Sequence, residues 1–315
     1  MSTLAPARPQ VHDSIPAPPR RRRRSPLPLL LLAPSLVVLG VLTGWPLVRL
    51  LIMSTQEYGR AQVFGAAPQF VGLQNYVEVL TDPQFWAVLA RSVAFCAVNV
   101  ALTMVLGMLV ALLLTKLGTV RRLVVTVGLL LAWAMPALTA IVIWGWMFDT
   151  DYGVVNYLLT LAGADMIGHS WLIEPLSFFG VATIVVTWQS VPFVAFTLYA
   201  ALCQVPGELI EAAQLDGASS AQRFRHVVAP ILRPVLLILT VLQVIWDLRV
   251  FTQIFALQDA GGISSETSTI GVYIYQVGVA QGRFDTGSAI AVILVVLMLA
   301  AAYPYVRRVS REEEL

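Results

Sequence analysis

A polar segment between two strongly apolar ones carries the residue types and spacing with the clearest chemical meaning. It contains, in order, an acid, two alanines, an aspartate–glycine pair and a proline: Glu211, Ala212, Ala213, Asp216, Gly217 and Pro230. An acid is favoured near a helix N-terminus and glycine suits the left-handed turn after a helix, so a short helix is predicted over about residues 206–216. A second helical start is predicted at residues 219–220. The alanines would let another protein approach closely, so the segment indicates a protein contact. A generic amphipathic loop lying on the membrane surface is the alternative.

A second group of polar residues lies inside apolar segments: Gln189, Ser190, Gln243, Trp246 and Asp247. The last three are spaced i, i+3 and i+4, so they share one helix face. Because such a face is costly against lipid, we expect it to point into a helix bundle. There the polar groups would contact a solute or hydrogen-bond neighbouring helices.

Motifs that the sequence lacks exclude several classes of function. The chain has no Gly-x4-Gly-Lys-Ser/Thr phosphate loop, because its only lysine, Lys116, lies between Thr115 and Leu117. It therefore cannot be a P-loop ATPase. Its histidines and cysteines lack metal-ligand spacing, and no nucleophile–base set occurs in the apolar segments: His12, His169, His226, Cys96 and Cys203. We expect no catalytic residues, no metal site and no disulfide framework.

Composition identifies the broad class. Of 315 residues, 58% are hydrophobic and 12% are charged, and mean hydropathy is +0.78. Soluble domains carry about 25% charged residues, so an integral membrane protein is predicted. Six segments reach the roughly 20 residues that cross a bilayer. These predicted spans are about 27–53, 88–115, 123–148, 178–203, 228–251 and 287–306.

Arginine distribution predicts the orientation. Residues 1–26 are predicted to be a disordered tail, with five arginines at 20–24 directly before the first apolar segment. A cleavable signal peptide is the alternative, but the apolar run is long and lacks a clear cleavage site. With both termini cytoplasmic, the inner regions hold 15 of the 20 Lys and Arg residues, as the positive-inside rule requires. The predicted division is a tail at 1–26, a membrane domain at 27–306 and a cytoplasmic tail at 307–315.

Several predicted spans contain proline or glycine at membrane depth: Pro46, Gly107, Pro136, Gly145, Pro192 and Pro234. Backbone breaks at membrane depth are tolerated where neighbouring helices or a water-filled path satisfy the freed groups. Each alone is explained as an ordinary kink, and together they suit a bundle that lines a path.

The polar segment resembles the EAA loop of permease subunits from ATP-binding-cassette importers. In that motif, Glu-Ala-Ala is followed by three residues, Gly, nine residues and Ile-x-Leu-Pro. The match is in register at Glu211, Ala212, Ala213, Gly217 and Pro230, while Val227 and Ala229 replace the isoleucine and the leucine. The resemblance implies an all-α type I permease bundle of six transmembrane helices, with a coupling loop at 204–227.

What this loop does in the family gives roles to its residues. The resemblance implies that it docks into a groove of a cytoplasmic ATPase subunit, where Glu211 would pair with a basic group. Asp216 and Gly217 would form the turn, and the alanines would allow close packing. ATP and Mg²⁺ would be bound by that partner, with no cofactor in this chain.

Other stretches resemble the sugar-importing, maltose-permease-like branch: FVGLQNY at 70–76, DPQFW at 82–86, WDLRVF at 246–251 and DAGG at 259–262. This resemblance implies a second homologous permease subunit, two ATPase subunits, an extracytoplasmic sugar-binding protein and the bacterial cytoplasmic membrane. The substrate would be an oligosaccharide, about disaccharide-sized, bound by Gln189, Ser190, Gln243, Trp246 and Asp247. Maltose, trehalose, cellobiose, chitobiose and glycerol-phosphate-type substrates remain open.

Two other function classes are weighed against this one. An ion- or proton-driven secondary transporter would work without an ATPase, but it needs intramembrane ionisable residues, and Asp247 is the main candidate. A membrane-embedded enzyme or sensor is disfavoured by the missing catalytic groups.

Overall fold

The computed structural model describes residues 27–312, and nearly all of its regular structure is helical. The α-helices are α1 Leu27–Leu39, α2 Trp45–Met53, α3 Arg60–Val63, α4 Gln74–Thr81, α5 Pro83–Lys116, α6 Thr119–Ala134, α7 Ala137–Met147, α8 Val154–Leu161, α9 Pro175–Leu202, α10 Gly207–Leu215, α11 Ser220–Arg223, α12 Ala229–Leu248, α13 Thr252–Asp259, α14 Ser264–Thr267, α15 Ile270–Tyr275 and α16 Phe284–Glu312. Three π-helical segments occur at Gly40–Gly44, Phe224–Val228 and Gln276–Ala280. The strands are β1 Gln56–Glu57 and β2 Gln69–Phe70, paired antiparallel with Gln56 opposite Phe70.

The membrane-spanning pattern confirms the predicted segments with one modification. Within the described residues, five helices are long and apolar enough to cross a bilayer: Leu30–Met53, Pro83–Lys116, Pro175–Leu202, Ser220–Asp259 and Phe284–Tyr303. The sixth predicted segment, 123–148, is a pair of helices, α6 and α7, that meet at an angle of 102°. Residues 27–312 thus contain six apolar segments, and one of them is broken.

Pro136 explains the break between α6 and α7. Proline lacks the N–H that would continue α6, and its ring disfavours a helical conformation in the preceding residue. Met135 is accordingly extended, with φ −69° and ψ 127°. Helix α7 restarts with the Ala140 N–H donating to the Pro136 carbonyl at 3.0 Å.

The other prolines leave their helices continuous. A wide π turn ends at the residue before Pro46 and at the residue before Pro230. The Trp45 N–H donates to the Gly40 carbonyl, and the Ala229 N–H donates to the Phe224 carbonyl. A π turn accommodates the ring where an α turn would place a carbonyl against it. Pro192 and Pro234 lie inside α9 and α12.

The bundle is organised around α5 and α9, which run parallel. The Thr187 hydroxyl donates to the Asn99 amide oxygen at 3.2 Å. Further along, a Cβ placed on Gly107 would lie 2.5 Å from a methyl carbon of Val194. The absence of a side chain at Gly107 lets the helices approach closely. Gly107 lies inside the unbroken α5, so it marks a close approach of two helices rather than a break.

Helix α12 packs antiparallel on α5, where the Cys96 thiol lies 3.8 Å from the Val244 carbonyl oxygen. Cys96 is buried, whereas Cys203 is exposed after the end of α9. The α5 face that carries Cys96 also carries Asn99, one turn further along, so α5 contacts both α9 and α12 through a row of small and polar side chains.

At the end of the bundle where α5 begins, the segment after α2 is clasped to the start of α16. The Tyr58 N–H donates to the Asp285 carboxylate at 3.1 Å, and the Asp285 N–H donates to the Tyr58 carbonyl at 3.0 Å. Arg283 forms an ion pair with Glu78 on α4. Asn75 stabilises the two-stranded ribbon of β1 and β2 by donating to the Ser54 and Gln56 carbonyls at 3.0 and 2.9 Å. We call these contacts the clasp.

At the same end, the chain leaves α7 through a tight turn. The Asp149 carboxylate accepts the N–H groups of Asp151 and Tyr152 at 2.8 and 2.9 Å. These bonds, from Tyr152 first and then Asp151, hold the pKa of Asp149 below its usual value, because they stabilise the ionised form.

The predicted domain limits differ from the helix limits. The predicted tail at 1–26 lies outside the described residues. The last helix, α16, extends to Glu312 and so continues through most of the segment 307–315 that was predicted to be a tail. The chain divides into two compact units between Val48 and Arg49, and everything described below belongs to the second.

Close packing at Gly107 can be tested by adding one methyl group. Gly107→Ala should destabilise the purified protein by about 1–3 kcal/mol, because the new Cβ overlaps Val194 and overpacking costs that much. Thermal unfolding in detergent measures the change.

The matched control is Gly180→Ala on α9, where a Cβ meets no atom within 4 Å. It should leave stability equal or higher, since alanine is the better helix former. Adding Val194→Ala to Gly107→Ala should restore part of the loss. Equal unfolding temperatures for the Gly107→Ala and Gly180→Ala variants would contradict the packing role.

Candidate coupling loop and membrane cleft

The predicted helix at 206–216 is confirmed as α10, with Pro206 and Asp216 as its flanking residues. Pro206 is extended, with φ −60° and ψ 125°, and precedes the first helical residue. Glu208 lies in the first turn, where the helix dipole favours negative charge.

The C-terminus of α10 is closed by a Schellman motif. The Ala218 N–H donates to the Ala213 carbonyl at 3.0 Å, and the Gly217 N–H donates to the Gln214 carbonyl at 3.1 Å. This pairing requires a left-handed residue after the helix, and Gly217 has φ +80°. The turn predicted at Gly217 therefore has a geometric basis.

A second short helix, α11, supports α10. Ser219 caps it, and the Ser219 N–H donates to the Gln222 side-chain oxygen at 2.8 Å. Arg223 then reaches back to the Gln214 side chain at 2.7 Å. A small cleft of about 330 Å³ lies between α10 and α11. These contacts hold α10 in one orientation.

The outer surface of α10 is exposed. Glu211 and Ala212 are solvent-accessible, and Leu215 is 90% exposed. Among the described residues, the Glu211 carboxylate has no hydrogen-bond partner. Pro230 is exposed at the second residue of α12. The loop thus presents an acid, a small residue and a leucine on a fixed helix.

The residues predicted to bind solute are divided by the structure. Gln189, Ser190, Trp246 and Asp247 line one cleft of about 400 Å³ between α9 and α12. Trp246 is 42% exposed and its ring lies 5.1 Å from that of Phe193. Gln243 does not line this cleft.

Gln243 lies one turn deeper on α12 and is fully buried. Neither its amide nitrogen nor its amide oxygen has a hydrogen-bond partner among the described residues, and the same holds for one oxygen of Asp247. Burying an unpaired amide costs about 1–3 kcal/mol. The expectation that this helix face points into the bundle holds for Gln243 and Asp247, whereas Trp246 is partly exposed.

Gln189 links the cleft to the break in the third span. Its amide nitrogen lies 3.4 Å from the Met135 carbonyl, which the break deprives of a helical partner. Its amide oxygen accepts a hydrogen bond from Gln253 at 3.0 Å. Because irregular backbone at membrane depth needs such partners, Gln189 stabilises the bend as well as lining the cleft.

Sequence reasoning missed several residues of the cleft wall. Arg249, Phe251, Thr252 and Gln253 line the cleft and were not predicted to do so. Helix α13 follows α12 after a short non-helical step and also packs on α9, which brings these residues beside α9. Trp246 and Asp247, only a few positions earlier, were the available signal.

Metal ligation was also tested. Across the described residues, 27–312, no three His, Cys, Asp or Glu side chains lie close enough together to hold a metal ion.

Comparison with known families decides the class. Residues 103–311 match the family described as the binding-protein-dependent transport system inner membrane component. The chain belongs to this family. The match contains both α10 and the cleft, so the two candidate sites lie within the family's shared region.

Individual relatives extend the match to nearly the whole chain. The diacetylchitobiose uptake system permease protein DasB of Streptomyces coelicolor is 43% identical over 288 residues, which cover 91% of this chain and 88% of that protein. The trehalose/maltose transport system permease protein MalF of Thermococcus litoralis is 32% identical over 291 residues, covering 90% and 94%.

Solved structures agree on the fold. A bacterial alginate ABC transporter in complex with an alginate pentasaccharide-bound periplasmic protein contains a chain with a TM-score of 0.75 and 20% identity. The match covers 89% of this chain and 92% of that one. The importer-permease fold predicted from the sequence is therefore confirmed.

As a binding-protein-dependent transport component, the protein is a multi-pass membrane transport subunit. The family favours the importer interpretation over an ion- or proton-driven secondary transporter. It also agrees with a transport subunit rather than an enzyme.

The turn at Gly217 can be tested by local exchange. Gly217→Ala should destabilise the end of α10 by about 1–2 kcal/mol, because a Cβ is strained at this φ. Amide hydrogen exchange over residues 207–218 should then speed up by roughly 5- to 30-fold.

Asparagine tolerates the left-handed region, so Gly217→Asn should give a smaller change. Gly207→Ala, in open space at an ordinary φ, is the control and should not accelerate exchange. If Gly217→Ala leaves the exchange rate unchanged, the Schellman closure is not what holds α10.

Proposed function

We propose that this chain is the transmembrane permease subunit of an ATP-binding-cassette importer that moves an oligosaccharide into the cytoplasm. Relatives are described as permeases for diacetylchitobiose, for trehalose and maltose, and for arabinooligosaccharides. Two or more sugar units are common to these substrates, which supports a disaccharide-sized or larger cargo. Diacetylchitobiose is the first substrate to test.

The observation that carries the coupling role is the fixed, exposed α10. A short helix transmits force only if its orientation is held, and the Schellman closure together with the Arg223–Gln214 bond holds it. Glu211 is available to pair with a cation, and Ala212 allows a partner to approach. We place α10 in a groove of a cytoplasmic ATPase subunit, with Asp216, Gly217 and Pro230 shaping the loop around it.

The energy must come from another polypeptide, since the chain has no phosphate loop. ATP and Mg²⁺ would be bound by two ATPase subunits. Their closure would displace α10 and, through α9 and α12, alter the cleft between these helices. Hydrolysis would reset the arrangement.

The cleft supplies groups suited to a sugar. Trp246 offers an aromatic face, and Asp247, Gln253 and Ser190 offer hydrogen-bonding groups. Gln189 positions Gln253 through their 3.0 Å hydrogen bond. Gln243 would contribute once α12 moves, because its amide has no partner among the described residues in this conformation.

The remaining partners complete the path. A second homologous permease subunit would form the opposite wall. An extracytoplasmic sugar-binding protein would dock on the connections at 149–177 and 252–286. The arginine distribution supports cytoplasmic termini, with the chain in the inner membrane of a bacterial cell.

Charge reversal at the coupling helix tests the mechanism. Glu211→Lys should abolish uptake of labelled oligosaccharide by the complete importer, because the pairing with the ATPase subunit is reversed, while membrane insertion stays normal. Uptake and co-purification of the ATPase subunit are measured together.

Glu57→Lys makes the same charge change at an exposed position outside both proposed docking connections. It is the control and should transport normally. Full uptake by the Glu211→Lys importer would exclude the coupling role.

Substrate contact is tested separately at Trp246. Trp246→Ala should lower kcat/KM for oligosaccharide uptake about ten-fold, equivalent to roughly 1.4 kcal/mol, and Trp246→Phe should recover much of it. Kinetics of the reconstituted importer with its binding protein give the values.

Trp133→Ala is a matched control, since Trp133 also packs against Phe193, at 6.5 Å, but does not line the cleft. Equal losses for the two alanine variants would show that Trp246 acts through packing rather than through the substrate.

A further inference from the structure

A second cavity of the bundle opens between α5, α6, α7 and α9. We call it the lateral groove, and it encloses about 480 Å³. Its walls are apolar, with Leu106 and Val110 from α5, Gly128 and Leu129 from α6, and Trp188 and Val191 from α9. It shares no lining residue with the cleft proposed to bind sugar.

The break at Pro136 accounts for the groove. Helix α7 leaves at 102° from α6, so it does not fill the space beside α9. A Cβ on Gly128 would meet no atom within 4 Å. Trp144 and Trp188 close one end, with ring centroids 5.8 Å apart. The Thr187 hydroxyl on its wall already donates to Asn99, so the groove offers little to a polar ligand.

The other end of the groove leads to a basic cluster. Arg122 lies seven residues before Leu129, so the two share a face of α6 about 10 Å apart. The Arg122 guanidinium is held by the Tyr199 hydroxyl at 2.8 Å. Tyr199 itself lies three turns beyond Trp188 on α9. The apolar faces of α6 and α9 that line the groove therefore both lead to Arg122.

The positive charge at this end is not compensated locally. Lys116, at the end of α5, and Arg121, next to Arg122 in the first turn of α6, are exposed. Residues 83–148 contain no Asp or Glu. Within the part of the chain that the structure describes, the one ion pair is that of Arg283 and Glu78, at the far end of the bundle.

We propose that the lateral groove and the basic cluster bind one anionic phospholipid. One acyl chain would lie in the groove, and the phosphate would contact Arg122 with Arg121 and Lys116 nearby. A three-turn helix of a partner would occupy about 1,500 Å³ at a diameter near 11 Å, well above the groove's volume. The size therefore suits a single acyl chain, and the charge selects an anionic headgroup.

Photolabelling of the complete importer in nanodiscs tests this site. The probe is phosphatidylglycerol with a diazirine in its acyl chain, diluted into phosphatidylcholine, and the comparison is phosphatidylcholine with the same tail. In the wild type, phosphatidylglycerol should label α5, α6 and α9 at the groove more than phosphatidylcholine does.

Two variants separate tail from headgroup. Arg122→Gln should lower phosphatidylglycerol labelling about five-fold, since one basic residue near the surface contributes about that factor, with phosphatidylcholine labelling unchanged. Gly128→Leu should fill the groove and lower labelling by both lipids. Arg225→Gln, which removes an exposed arginine outside the groove, is the control and should change neither.

If the Arg122→Gln importer does not assemble, Tyr199→Phe keeps the charge and removes only its anchor. It should reduce the phosphatidylglycerol preference, and Arg122→Lys should retain part of it. Equal labelling by both lipids in the wild type would overturn the proposal. So would crosslinking of a photoreactive residue at position 129 to a second protein chain.

Discussion

Every backbone hydrogen-bonding group at membrane depth must find a partner inside the protein, and the rest of the structure depends on how the break at Met135 meets this constraint. Pro136 keeps Met135 extended, so the Met135 carbonyl has no helical partner, and the Gln189 amide nitrogen approaches it from α9 at 3.4 Å. The same break turns α7 away from α6. The turn opens the lateral groove on one side. On the other side, the Gln189 amide oxygen accepts a hydrogen bond from Gln253 in the cleft.

Helices α9 and α12 also connect the membrane interior with the polar loop that contains α10. Helix α9 ends shortly before α10, and α12 continues from the π segment that follows α11. In the proposed mechanism, a displacement of α10 would reach the α9 wall of the cleft across residues 203–206, and the α12 wall through the helix that runs on from α11. The Arg223–Gln214 bond and the turn at Gly217 would limit how far α10 could tilt by itself.

Local patterns predicted much of this architecture, and non-local contacts account for what was missed. Hydropathy located the spans because lipid demands about 20 apolar residues each, and Gly217 marked the end of α10 because few residues tolerate its φ. The angle at Pro136 and the fully buried position of Gln243 depend on which helices become neighbours. The close packing of Gly107 on Val194 was not predicted for the same reason, since it depends on which helix lies beside α5. Arg249 lines the cleft because α12 and α13 both pack along α9.

The clasp has a consequence for biosynthesis. Tyr58 and Asp285 are separated by 227 positions, so a ribosome adding roughly 5–20 residues per second emits the second partner some 10–50 s after the first. During that interval the segment at Tyr58 has its contacts with Asn75 but lacks those with Asp285. A chain that terminates before Asp285 would never complete the clasp.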